Sequence, residues 1–188
     1  MKHRFLSKKY WNTITTPMAE VADLAHSYKD IINLSLGDHN LTTDLRIIKE
    51  AFKDAEKGHT RYTDPLGDPE LREELSAYYK DNYGCRFGAG EVMAVVGACH
   101  GMYLVLEAIL DAGDEVIVPE PYFTPYAHQI QLAGGRMVTL ETSEEEGFQI
   151  SIERLKALIT NRTKAIIINS PNNPTGACYS KETLMALA

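Results

Sequence analysis

Three short apolar runs, Val116–Val118, Met137–Leu140 and Ala165–Ile168, recur along the second half of the chain, separated by stretches with helical spacing. Each run is too short for a helix, and apart from Thr139 all three are apolar throughout rather than alternating. That is the composition of a strand covered on both faces. The stretches between them are long enough to hold a crossover helix: Tyr126–Ala133 stopped by Gly134-Gly135, then Ile152, Leu155, Leu158 and Ile159 behind a capping Ser151. Strands joined in this way run parallel, so the pattern predicts an α/β protein with a mainly parallel central sheet and crossover helices. Upstream, the same alternation places a strand at Val92–Val96 and a helix at Met102–Leu110.

The first third reads as helices with one strand. Thr16 before Pro17 has the form of a cap and a first-turn proline, and Met18, Val21, Ala22, Ala25 and Tyr28 follow helical spacing. Ile32, Leu34 and Leu36 alternate as a half-buried strand. Leu45, Ile48, Phe52 and Ala55 form a second helical stripe that ends near Gly58. Asp68-Pro69 opens a third helix, with Leu71, Leu75, Tyr78 and Tyr79 on one face and Gly84 past its end. Glu141–Glu146 carries four glutamates and is expected to be a solvated loop. Ser180–Ala188 reads as a capped helix with Leu184 and Leu187 on its apolar face and no stop signal, which we read as a cut within a larger fold. No repeat or linker marks two independent domains.

Charge narrows the function. Across 188 residues, 26 acidic side chains outnumber 19 basic ones for a formal net charge of −7, and the basic residues are scattered. Nucleic acids and anionic membranes need a basic footprint, so neither is an expected partner. No apolar stretch is long enough to span a bilayer or serve as a signal core. Cys85, Cys99 and Cys178 are far apart and odd in number, which suits a reducing cytoplasm.

In open α/β sheets, ligands collect where strands end and helices begin. Three such junctions have unusual composition. Val96-Gly97-Ala98-Cys99-His100-Gly101 has the small residues that let backbone N–H groups approach a phosphate at a helix start, although a tight turn also favours glycine. It is neither a dinucleotide fingerprint nor a Walker loop. Pro119-Glu120-Pro121-Tyr122-Phe123-Thr124-Pro125-Tyr126 interleaves three prolines with three aromatics, a rigid loop suited to a flat ligand or to plugging the sheet end. Asn169-Ser170-Pro171-Asn172-Asn173-Pro174-Thr175-Gly176 fixes two side-chain amides between prolines, more constraint than an ordinary turn needs. Cys99 beside His100 shares no ligand spacing with other residues, so no metal is expected. The histidines form no motif, and Trp11 reads as a packing anchor.

Taken in order, the segments resemble the first half of a class I/II aminotransferase, a fold-type I enzyme using pyridoxal 5′-phosphate. Leu34-Ser35-Leu36-Gly37-Asp38-His39-Asn40 is similar to that family's S-x-G-D/E-P-N stretch. Gly58 to Tyr62 and Gly67 to Arg72 match G-x-x-x-Y-x-x-x-x-G-x-x-x-L-R. A-V-V-G-A, A-G-D-E-V-I-V-P-x-P-Y-F-x-x-Y and S-P-N-N-P-T-G follow in register. His39 departs from the pattern, standing where proline is common.

The resemblance implies a homodimer that moves an amino group from an amino acid to a 2-oxo acid. In it, Gly97, Ala98 and Cys99 hold the cofactor phosphate through backbone N–H groups, Phe123 stacks on the pyridine ring, and Asn173 donates to the phenolate oxygen. Tyr62 reaches the phosphate of the partner subunit's cofactor, and Gly37 lies beside the substrate carboxylate. It also implies cis bonds before Pro121 and Pro174. It divides the chain into residues 1–45, an N-terminal arm with the start of a small domain, and 46–188, the first half of a large cofactor-binding domain. The family's S-x-S-K Schiff-base lysine is absent, so no residue here is named as the catalytic base. A C–S β-lyase or a cyclopropane-carboxylate synthase would share this half-site. A non-catalytic phosphate-binding module is the alternative outside enzymes.

Overall fold

The computed structural model describes residues 4–7, 10–11, 17–32, 37 and 39–188. The expected cap at Thr16, the strand reading at Leu34 and Leu36, and Ser35 and Asp38 of the early motif lie outside the described residues, as do the side chains of Met18 and Ala22. The chain forms two compact units, residues 1–62 and 63–188.

The first unit contains α1 (Pro17–His26) and α2 (Leu45–Glu56). Asp44 caps α2 by accepting from the Arg46 backbone N–H at 2.8 Å and pairs with the Arg46 guanidinium at 2.7 Å. The Trp11 indole donates to the Leu6 carbonyl at 3.0 Å.

The second unit opens with α3 (Pro69–Tyr83), capped as its sequence requires. The Asp68 carboxylate accepts from the backbones of Glu70 and Leu71, and Gly84 closes the helix in the left-handed region. Arg72, with only 12% of its side chain exposed, donates to the Ala89 carbonyl at 3.3 Å and lies 3.7 Å from Asp64. Ser76 donates to the Phe87 carbonyl.

Val92–Val96 is not a strand. A 3-10 turn at Ala89–Glu91 precedes it, a tight turn at Val95–Gly97 closes it, and it has no ladder partner among the described residues. Its one backbone bond across the unit is Ala94 N–H to the Leu66 carbonyl at 2.8 Å. Apolar composition proposes a strand, but a neighbouring backbone is what makes one.

The remaining elements are α4 (Gly97–Ile109), β1 (Glu115–Glu120), α5 (Pro125–Leu132), β2 (Arg136–Glu141), α6 (Ile152–Leu158), β3 (Thr163–Ile166) and α7 (Lys181–Leu187). The sheet order is β2-β1-β3, parallel throughout. Alternate residues of β1 enter different cores. Val116 and Val118 pack with Leu106, Leu110, Ile130, Ala133 and Ile167 beneath α4 and α5. Ile117 packs with Leu140, Ile150, Leu155 and Tyr179 beside α6. Residues 115–119 are buried throughout, which is the physical origin of the continuous apolar run.

Pro119 continues this central strand despite its missing donor. The bonds from Glu115 N–H to the Arg162 carbonyl and from Ile167 N–H to the Ile117 carbonyl put odd-numbered β1 residues on the β3 side. The β1–β3 register stops at Ile117, so the missing N–H of Pro119 falls beyond the ladder. At the other end of the sheet, the buried Glu115 carboxylate accepts from Arg136 at 2.6 Å, Arg162 at 2.9 Å and Thr160 at 2.8 Å. These bonds join the starts of β1 and β2 and the approach to β3, and they hold the Glu115 carboxyl down at about 2. The glutamate-rich segment after β2 is exposed, and Glu146 pairs with Arg154.

Candidate functional site

The first junction is the opening turn of α4 itself. The helix begins at Gly97, five residues before the expected Met102, so the small residues are helical rather than a turn in front of a helix. Gly97 has φ +80, and nothing lies within 4 Å of where a Cβ would stand. A helix leaves its first N–H groups without internal partners. Here the Val96 N–H donates to His100 Nδ1 at 3.3 Å, and the Gly97 N–H donates to the Val95 carbonyl at 2.8 Å. The Ala98 and Cys99 N–H groups have no partner among the described residues, and both residues are exposed. Two free donors at the positive end of a helix dipole, beside an uncluttered glycine, fit an anion such as phosphate.

The second junction follows β1. The Glu120–Pro121 bond is cis, Pro125 starts α5, and the Tyr126 N–H donates to the Phe123 carbonyl at 3.0 Å. The rings of Phe123 and Tyr126 meet edge to face, 5.6 Å apart at 81°. Phe123 is half-buried, while Tyr122 and Tyr126 pack onto the core. Burial raises the Tyr126 hydroxyl pKa, and the Cys99 thiol nearby adds to the shift.

The third junction follows β3. Ser170–Pro171 and Asn173–Pro174 are both cis. The expected cis bonds at Pro121 and Pro174 are thus present, with a third at Pro171. The Asn172 N–H donates to the Ala177 carbonyl at 2.9 Å, and the Gly176 N–H returns to the Asn172 carbonyl at 2.7 Å. Asn169 Oδ1 accepts from the Asn173 N–H at 2.9 Å. The Asn173 side chain is exposed and makes no hydrogen bond among the described residues, which leaves its amide available.

Two bonds bring the three junctions together. Asn172 Nδ2 donates to the Pro121 carbonyl at 3.0 Å and to Thr175 Oγ1 at 3.0 Å, which ties the third junction to the second. Gln129, on α5, donates Nε2 to the Cys99 carbonyl at 2.8 Å, which ties the second element to the first. The sequence did not single out Gln129, and it gave Asn172, unlike Asn173, no role of its own. A polar residue that faces the core from within an amphipathic stretch is the one signal that could have found Gln129.

Tyr62 and Gly37 belong to the first unit. Tyr62 is fully exposed, and a Cβ added to Gly37 would meet nothing within 4 Å. A groove of about 580 Å³ along α3, lined by Ser76, Lys80, Arg86, Phe87, Gly88 and Glu91, contains none of the expected residues.

Residues 63–188 therefore define an α/β protein in which a helix start with two free N–H donors is tied to an aromatic loop and an amide loop at the ends of two parallel strands. The chain belongs to the aminotransferase class I and II family, whose family model matches residues 29–188. It is 42% identical to an aspartate aminotransferase of Geobacillus stearothermophilus, over 92% of this chain and 45% of that protein. It is 41% identical to an aspartate/prephenate aminotransferase of Thermus thermophilus, over 90% and 44%. The solved aspartate aminotransferase of Thermus thermophilus with maleate superposes with a TM-score of 0.91 at 38% identity, over 98% of this chain and 50% of that one. The chain spans about half the length of the curated relatives it matches. Among the described residues, no helix is long and apolar enough to cross a membrane.

Proposed function

We propose that this chain is the first half of a pyridoxal-phosphate-dependent aminotransferase, which moves an amino group from an amino acid to a 2-oxo acid. The observation that carries the reading is the pair of free N–H donors at Ala98 and Cys99, joined through Gln129 and Asn172 to the Phe123 and Asn173 loops. The names of the relatives support aspartate as the donor to test first.

The residues divide the work of holding a flat phosphorylated aldehyde. Ala98 and Cys99 donate to its phosphate, with the left-handed Gly97 setting the direction of the turn. Phe123 covers one face of the ring and keeps water from it. The Asn173 amide donates to the ring oxygen and favours its ionised form. Tyr62 reaches the phosphate held by a partner subunit in a homodimer, and Gly37 lies beside the substrate carboxylate. When bound, the cofactor supplies the electron sink for loss of the substrate's α-proton. Residues 1–45 form an arm and the start of a small domain, 46–188 belong to a large domain with a seven-stranded sheet, and the protein works in the cytoplasm.

The test is amino-group transfer by the full-length protein. Disappearance of aspartate should match amination of added 2-oxoglutarate, mole for mole. Given a cysteine thioether instead, release of thiol, ammonia and pyruvate without an acceptor would favour a C–S β-lyase, and given S-adenosylmethionine, a cyclic amino acid product would favour a cyclopropane-carboxylate synthase. Phosphate binding with no turnover would favour a non-catalytic module.

A further inference from the structure

Gln129 is a poor choice for packing alone. Gln129 is 8% exposed, on a helix whose neighbour Ile130 is fully buried. Its Oε1 is buried and has no partner among the described residues. An apolar side chain of the same length would fill that space without stranding an acceptor. Nor does the Cys99 carbonyl depend on it, because a first-turn carbonyl already has its helical partner four residues on, and Gln129 uses the second lone pair.

What the bond does supply is orientation. The start of α4 lacks the usual restraints: Val96 offers no side-chain cap, and Gly97 sits at φ +80 in open space. His100 reaches back to the Val96 N–H from within the helix. Among the described residues, Gln129 contributes the one side-chain hydrogen bond to this turn from another element. It comes from α5, the helix that the Phe123 loop leads into.

We propose that Gln129 is a positioning residue for the phosphate-holding turn. By gripping the Cys99 carbonyl it fixes the direction of the Ala98 and Cys99 N–H groups relative to the ring-stacking loop. This rests on the cofactor reading above. It predicts that stability and phosphate recognition respond differently to the same substitution, because the bond costs burial and returns geometry.

The test is titration of the full-length apoprotein with pyridoxal 5′-phosphate and, in parallel, with pyridoxal, alongside thermal melting of each apoprotein. For Gln129→Met, affinity for the phosphorylated compound should fall about tenfold. Affinity for pyridoxal should be unchanged, and the apoprotein should melt no lower than wild type. Gln129→Asn keeps the amide but is one methylene short, and should show the same phosphate-selective loss. Equal losses for both compounds, or unchanged affinity for the phosphorylated one in a folded variant, would overturn the proposal while leaving the cofactor assignment intact. A wild-type protein that does not prefer pyridoxal 5′-phosphate over pyridoxal would overturn both.

Discussion

Asn172 and Pro121 are separated by 51 positions in sequence, yet the side-chain amide of one donates to the backbone carbonyl of the other at 3.0 Å. Pro121 follows β1 and Asn172 follows β3, adjacent parallel strands, so one hydrogen bond holds two strand-end loops in a fixed relation. Asn173, the next residue, has no such tie. Neighbouring asparagines in one motif thus separate into a residue that builds the site and a residue left free to act in it.

Asn172→Ala should therefore lower the stability of the full-length protein. Loss of two half-buried hydrogen bonds that leaves the Pro121 carbonyl unmatched is expected to cost about 1–3 kcal/mol. Denaturant unfolding, with the slope checked for constancy, measures it.

Asn173→Ala should have the opposite profile. With no side-chain bond among the described residues to lose, stability should stay within about 0.5 kcal/mol of wild type. Pyridoxal 5′-phosphate affinity should drop by about 1.5–3 kcal/mol, the range for a hydrogen bond to a charged group. Unaltered affinity would remove Asn173 from the site.

Glu115 should give the protein an acid-sensitive step. Its carboxyl is held at about 2 by Thr160, Arg136 and Arg162, against 4.5 without them. A depressed folded pKa means that the unfolded chain binds the proton first. The stabilisation is complete above pH 4.5 and is lost as pH falls toward about 2. In Glu115→Gln, the melting temperature should be lower at pH 7, and its fall between about pH 5 and 2 should be shallower than in wild type.

Gly67→Ala tests the close approach under the Ala94 segment. The added Cβ would stand 2.5 Å from the Ala94 Cβ, and Gly67 has φ +101. Strain and clash together should cost about 2–4 kcal/mol, read by denaturant unfolding. A tolerated alanine would mean that residues 64–67 can move away from Ala94.

How much of this was legible in sequence depends on how far apart the deciding groups lie. The caps at Asp68, Ser151 and Ser180 each act on backbone two or three residues away, so each could be read in place. The helices they open are where they were expected. Val92–Val96 has the composition of the true strands but no ladder partner among the described residues, and composition alone cannot distinguish the two. The start of α4 was expected at Met102, because glycine and small residues read as a turn; the helix accommodates them by beginning on a left-handed Gly97.

By itself, the order of residues determined the alternation of strands and helices, their parallel arrangement and the family, because periodicity, capping and motif spacing are local and survive in one dimension. Only the tertiary structure decided which asparagine braces the strand-end loops, that Gln129 turns inward to grip Cys99, and that three chain segments share one buried carboxylate. The physical reason is the same each time. These hydrogen bonds join groups roughly 20 to 50 residues apart, and their partners are chosen by which backbones the packed sheet brings within about 3 Å.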